Sequence, residues 1–332
     1  MQEQFFKHLK AKSPDNTSFV EEIASVLDIG YDAAYRRVNL KTNLSLEESV
    51  QLARHYKVSL NKLFEVGNQN TIVTELPPQP KDVEALEQWL KASLQNVQAL
   101  AKLKGTEVLY SAKDIPLFHT LNDSLLTRYK MYVWLKDINV EMAQSKITFD
   151  EWKETIPTSL LEAAYKVSEV YKGVSITEIW NETTITGSLQ QVLYYFEAGL
   201  VSKALALQIC EDIKQVVDHI EEQTIAQSLA GANSDTFFHL YRCDLHTLHN
   251  TIMFSSKIGK VFFQPFTVIR YFKIDHPETC ELQYEFFQKM MRNSKLLANA
   301  GERDRTLFFN KIHKKIDIAK ARINMDDGMS FV

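Results

Sequence analysis

Residues 23–38 constrain the fold of this chain more than any other stretch. They run Ile23-Ala24-Ser25-Val26-Leu27-Asp28-Ile29-Gly30-Tyr31-Asp32-Ala33-Ala34-Tyr35-Arg36-Arg37-Val38. Ala24 puts a small residue where one helix must let a second cross closely. Ile29 follows the turn and plugs the core. Ala34 and Val38 are then small or apolar on the inward side of the second helix. This is the pattern of a helix-turn-helix, and the spacing predicts its second helix at about 30–38. The outward side of that helix carries Tyr31, Asp32, Tyr35 and Arg36, with Arg37 and Lys41 beside it.

The surrounding residues supply three more short helices, giving a five-helix head over 1–66. The first covers 2–11 with Phe5, Phe6 and Leu9 as its apolar face, and Ser13-Pro14-Asp15 ends it. The helix before the turn begins at Ser18, with Glu21 three residues on as a capping box and Val20, Ile23, Ala24 and Leu27 at helical spacing. Ser45 and Glu48 form a second box opening helix 4, where Leu46, Val50 and Ala53 are the expected buried residues. Ser59 caps a short fifth helix that packs through Leu60, Leu63 and Phe64.

An α-helix fits the major groove of DNA, and the outward residues suit that task. Arginine binds guanine O6 and N7 in a bidentate way, with about 1–3 kcal/mol of discrimination. Tyrosine reaches phosphate or packs on a thymine methyl, while Arg37 and Lys41 suit phosphates. Asp32 repels phosphate but favours the helix N-terminus. It either orients Arg36 four residues on or accepts from a cytosine amine, the first role ahead of the second.

The run from Glu22 to Phe64, with Leu44-Ser45-Leu46-Glu47-Glu48-Ser49-Val50-Gln51-Leu52-Ala53-Arg54-His55-Tyr56-Lys57-Val58-Ser59-Leu60 within it, resembles the Cro/repressor-like (Xre family) DNA-binding domain. The resemblance covers about a fifth of the chain. It implies a lambda-repressor-like head in which helices 4 and 5 pack beneath a reading helix. Two positions depart from the family pattern: Asp28 stands at the turn position usually held by glycine, and Gly30 replaces the usual Ser or Thr cap. The remainder is similar to long C-terminal regions of uncharacterised regulators found in Bacteroidota, through Tyr110-Ser111-Ala112-Lys113-Asp114-Ile115-Pro116-Leu117-Phe118, Gly301-Glu302-Arg303-Asp304-Arg305 and Phe308-Phe309-Asn310. That likeness implies no ligand.

Breakers are scarce, with 10 Gly and 8 Pro in 332 residues, which argues for a helix-dominated protein. Pro77, Pro78 and Pro80 follow the polar Gly67-Asn68-Gln69-Asn70, so 67–80 reads as an extended linker. The body, 81–332, opens with a helix at 82–104 whose Val83, Leu86, Leu90, Val97 and Leu100 form an imperfect heptad seam. The seam suits either a second chain or its own body. Further helices are expected at 122–144, 158–172, 187–197, 201–222, 235–249, 279–297 and 302–322. The β-branched and aromatic runs 251–256, 260–266 and 268–274 read as a small antiparallel meander with a turn at 257–259, and 107–111 as one more strand. The expected fold is therefore mainly α, a five-helix head followed by a larger helical domain with a small meander.

Net charge is −4, so any DNA contact comes from a local cluster rather than a global field. Nine basic residues against three acidic ones lie between Met291 and Arg322, which reads first as a solvated helix face and second as a flank for DNA or an acidic partner. Cys210, Cys243 and Cys280 are odd in number and far apart, which fits a reducing compartment. The first residues lack a signal-peptide pattern and no long apolar run occurs, so a cytoplasmic protein without membrane contact is expected. His239, Cys243, His246 and His249 would share a face of the 235–249 helix and could hold a metal, but a packed stripe is the stronger reading. No phosphate loop, His-Glu-x-x-His or Gly-x-Ser-x-Gly motif occurs, so neither an enzyme nor a cofactor is expected.

Together these readings predict a sequence-specific DNA-binding transcription regulator. Its partners would be double-stranded DNA, a second copy in a homodimer, and an unknown small-molecule or peptide effector sensed by the body. The alternatives are a protein-interaction adaptor whose helix-turn-helix does not bind DNA, and a metal-responsive regulator.

Overall fold

The computed structural model describes residues 1–13, 18–64, 72–103, 105–229, 236–297 and 301–325. The chain divides into two compact units, Met1–Val73 and Thr74–Val332. The expected breaker at Pro14-Asp15, the polar stretch 67–70 and the helix end at Lys104 lie outside the described residues.

The first unit contains α1 (Gln2–Lys10), α2 (Phe19–Leu27), α3 (Tyr31–Val38), α4 (Leu46–His55) and α5 (Leu60–Phe64). Its core is Phe5, Phe6 and Leu9 from α1, Ile23 and Leu27 from α2, Ala34 from α3, and Leu52, Ala53 and Tyr56 around α4. Two local expectations fail. Ser18 stands at the start of α2 but its side chain makes no capping bond. Leu46 is 74 % exposed, and Leu52 is the fully buried residue of α4. The helix is rotated so that Leu52, Ala53 and Tyr56, not Leu46, face inward.

The second unit holds α6 (Val83–Ala101), β1 (Glu107–Ser111), α7 (Leu117–Thr120), α8 (Leu125–Ile138), α9 (Val140–Gln144), α10 (Phe149–Trp152), α11 (Thr158–Tyr171), β2 (Ser175–Trp180), α12 (Thr186–Glu197), α13 (Lys203–Ala226), β3 (Phe238–Arg242), β4 (Thr251–Ser256), β5 (Gly259–Pro265), β6 (Tyr271–Ile274), α14 (Pro277–Arg292), β7 (Lys295–Leu296) and α15 (Glu302–Met325). The expected mainly α body with a small meander is wrong. A seven-stranded mixed sheet runs through it in the order β6-β5-β4-β1-β2-β3-β7, which makes the body an α/β unit. β1, β2 and β3 are parallel neighbours, and β4, β5 and β6 continue the sheet antiparallel from β1. The β1-to-β2 and β2-to-β3 crossovers carry helices, as parallel pairing requires.

The physical reason for the correction lies in the central strands. After their first residues, β1 and β2 are buried at every position. Strands covered on both faces show no polar alternation to read. The expected 235–249 helix is instead β3 followed by irregular chain. One expected helix over 122–144 is two, broken at Asn139, whose side chain caps α9 by accepting from the Met142 N–H at 2.6 Å.

Two surfaces offered by the sequence are covered. Leu86, Leu90 and Val97 of the α6 seam are buried in the body's own core, with α11 as the main neighbour. The proline-rich segment is held from Thr74 onward at the β6 edge. Glu75 and Lys273 exchange backbone hydrogen bonds at 3.3 and 2.9 Å, and Arg270 Nε donates to the Pro77 carbonyl at 2.9 Å. That bridge covers part of an edge that would otherwise expose unpaired strand groups. Among the described residues no helix is long and apolar enough to cross a membrane.

The burial pattern of α4 gives a direct check. Leu52→Ala is expected to cost about 2–5 kcal/mol in urea unfolding through lost burial and a residual cavity. Leu46→Ala is expected to cost less than about 0.5 kcal/mol.

Candidate nucleic-acid interface

The α3 helix is fixed at both ends by backbone turns. Asp28 takes a left-handed conformation, φ 53°, at the end of α2. The Ile29 N–H then reaches the Ala24 carbonyl at 3.0 Å and the Asp28 N–H reaches that of Ser25 at 3.4 Å. This pair of bonds is a Schellman turn, and aspartate serves the position that glycine usually fills. Gly30 opens α3 in an extended conformation, and its carbonyl accepts from Ala33 and Ala34. At the far end Leu40 is left-handed at φ 61°, with Lys41 N–H to Arg36 O at 2.8 Å and Leu40 N–H to Arg37 O at 3.1 Å. Lys57, φ 52°, closes α4 in the same way, with Val58 N–H to Ala53 O at 2.8 Å.

Side chains lock α3 against its neighbours. The Arg37 guanidinium donates from Nε to Glu48 Oε2 at 3.0 Å and from Nη2 to Oε1 at 2.7 Å, and from Nη1 to the Ala33 carbonyl at 3.1 Å. Glu48 also accepts from the Ser45 N–H at 2.9 Å, while Ser45 Oγ accepts from the Glu48 N–H at 3.1 Å. One carboxylate thus completes the α4 capping box and grips α3. Gln2 of α1 donates to the carbonyls of Arg37 and Thr42 and accepts from the Leu44 N–H, stitching the α3–α4 loop. Gln51 of α4 donates to the Val26 carbonyl. The sequence announced the capping box but not these longer links, which join residues up to 42 apart.

With the inner side held, the outer side stands clear. Ala34 is fully buried, whereas Tyr31 and Tyr35 are 53 % and 43 % exposed. Asp32, Arg36 and Lys41 are also exposed. The Tyr31 and Tyr35 rings stack at 6.4 Å, and Lys41 Nζ lies 5.9 Å from the Tyr35 ring centre. Five of the six expected residues therefore share an open surface. Arg37 is the sixth, and the structure commits its guanidinium to Glu48 rather than leaving it for a phosphate. Among the described residues no bond joins Asp32 to Arg36, so the geometry gives the orienting role no support.

The metal stripe does not exist as drawn. His239 lies on β3, stacked on Phe237 at 4.4 Å, and burial pushes its pKa down. Cys243 is buried just beyond the strand, and His246 and His249 follow in irregular chain, His246 edge-on to Phe286. No group of three or more His, Cys, Asp or Glu among the described residues is placed to hold a metal. The basic C-terminal segment is largely paired within its own unit: Lys311 and Lys315 bind Glu182, Lys320 binds Glu211 and Arg322 binds Glu197.

No family profile, curated protein or solved structure matches the chain.

The Arg37 hydrogen bonds hold the Glu48 carboxyl below its ordinary pKa of 4.5. A carboxyl lowered on folding contributes stability above its unfolded pKa and loses it as pH falls through the folded value. The first unit should therefore lose urea stability below about pH 4.5, and Glu48→Gln should be less stable at pH 7 with a flatter acid limb. Leu40→Gly should stabilise the unit by about 0.5–1 kcal/mol, since glycine relieves the left-handed strain.

Proposed function

We propose that the Met1–Val73 unit binds duplex DNA as the head of an Xre-type transcription regulator, with α3 in the major groove. The carrying observation is the open face of Tyr31, Asp32, Tyr35 and Arg36 on a helix whose opposite side is sealed by Ala34. In this reading Arg36 is the base-reading cation, bidentate to a guanine edge, and Asp32 accepts from a cytosine amine. Tyr31 and Tyr35 contact thymine methyls or the backbone. Lys41 contacts a phosphate. Arg37 acts from behind, holding the angle of α3 through Glu48. The α/β unit would sense a signal and bring two heads onto adjacent half-sites, using a surface other than the α6 seam.

A second reading rests on the apolar part of the same neighbourhood. Tyr31, Tyr35, Leu40 and Leu46 are all exposed, and exposed apolar side chains also suit a protein partner. Salt separates the two. Affinity for duplex DNA should fall by orders of magnitude between about 50 and 200 mM salt through counterion release, whereas an apolar protein contact should change little. Tyr35→Ala combined with Arg36→Ala should abolish sequence-specific binding in a mobility-shift assay while urea stability stays within about 0.5 kcal/mol of wild type. Retention of full specific binding by that variant would refute the assignment of α3 as the reading helix.

A further inference from the structure

The α/β unit encloses a cavity of about 410 Å³ on one side of β2, walled by α7, α11 and α13 and the chain after α7. That volume is in the range of small-molecule sites. Its floor is polar in an unusual way. Glu178 of β2 is fully buried, in the middle of the parallel strands. One carboxylate oxygen meets His119 Nε2 at 2.7 Å and the other accepts from Trp180 Nε1 at 2.7 Å. The His119 side chain is only 9 % exposed. Gln223, 7 % exposed, also lines the cavity, and its Oε1 has no hydrogen-bond partner.

The walls define what the cavity can take. Four carboxylates line it: Glu178, Asp212, Asp123 and Glu169. Among the described residues the only lysine or arginine lining it is Lys172, which is already paired with Glu169 at 2.5 Å, and Asp123 is paired with Arg128 at 3.1 Å. Such a lining disfavours an anion. Phe118, Tyr165 and Tyr171 also line it, with the Phe118 and Tyr171 rings stacked on each other, and supply aromatic wall for an apolar body. The unpartnered Gln223 Oε1 and a lining with more carboxylates than cations together call for a ligand that donates hydrogen bonds and carries positive charge.

We propose that this cavity is a binding site for a small organic cation, with an ammonium group at the His119–Glu178 floor and an apolar body against Phe118, Tyr165 and Tyr171. The carboxylate of Glu178 compensates the ammonium charge. The site is complete within the α/β unit and does not depend on what the first unit binds. Phe118 and Tyr171 also line a smaller apolar cavity of about 130 Å³ that is bounded by Pro77.

Calorimetric titration of the full-length protein tests this with three probes: benzylammonium, phenethylammonium and butane-1,4-diammonium, each beside its neutral alcohol. At least one ammonium should bind saturably below ~10 mM and at least about tenfold more tightly than its alcohol. Gln215→Trp, an exposed position on α13 that lines the cavity, should block the mouth and remove binding without unfolding the protein. Glu178→Gln should weaken binding at least about tenfold if it folds, as circular dichroism will show, and Gln215→Trp decides the matter if it does not. The proposal is overturned if all three ammonium probes fail to saturate. Equal affinity for the alcohols, or unchanged binding in folded Gln215→Trp, overturns it as well.

Discussion

The arrangement of the first unit turns on the pair between Arg37 and Glu48. Glu48 faces two ways, closing the first turn of α4 through Ser45 and holding α3 through the fork of Arg37. A bidentate guanidinium–carboxylate pair fixes orientation as well as distance. Both side chains are about one-fifth exposed, so the pair is partly shielded from the screening that weakens surface ion pairs. Gln2 fastens the loop beyond α3 from a third helix. With α3 held from behind and below, its outer residues can be exposed without the helix being loose. That combination of a rigid support and an open polar face is what a groove-reading helix needs.

The second unit depends on a different constraint. Parallel strands need long crossovers and helices on both faces, and β1 and β2 meet that need by being buried almost throughout. Placing Glu178 within such a strand is costly unless its oxygens are bonded. His119 and Trp180 supply those bonds, and the resulting floor is the most chemically distinctive feature of the body.

Legibility from the sequence followed the range of the interactions. The α2–α3 pair was readable because Ala24, Ile29, Ala34 and Val38 lie within 15 residues and fill the close-packed positions on either side of one turn. The strands 107–111 and 251–256 were readable from β-branched and aromatic runs, and the structure gives β1 and β4 those bounds. β2 was missed because Ser175-Ile176-Thr177-Glu178-Ile179-Trp180 mixes a charge into a buried strand. β3 was missed because His239, Cys243, His246 and His249 imitate helical spacing. Leu46 was expected inside because Leu46, Val50 and Ala53 fall on one helical face, and only packing decides the rotation of α4. Arg37 read as a phosphate contact because its partner, Glu48, stood assigned to a cap. The His119–Glu178 floor joins residues 59 apart, which no local pattern reveals.

The central claim is that the outer face of α3 reads base pairs. Selection of the full-length protein against a library of random DNA duplexes at low salt tests it most directly. The account predicts enrichment of a short motif whose guanine position loses its preference when Arg36→Ala is put through the same selection. Failure of the wild-type protein to enrich any motif, or an unchanged motif with Arg36→Ala, would contradict it.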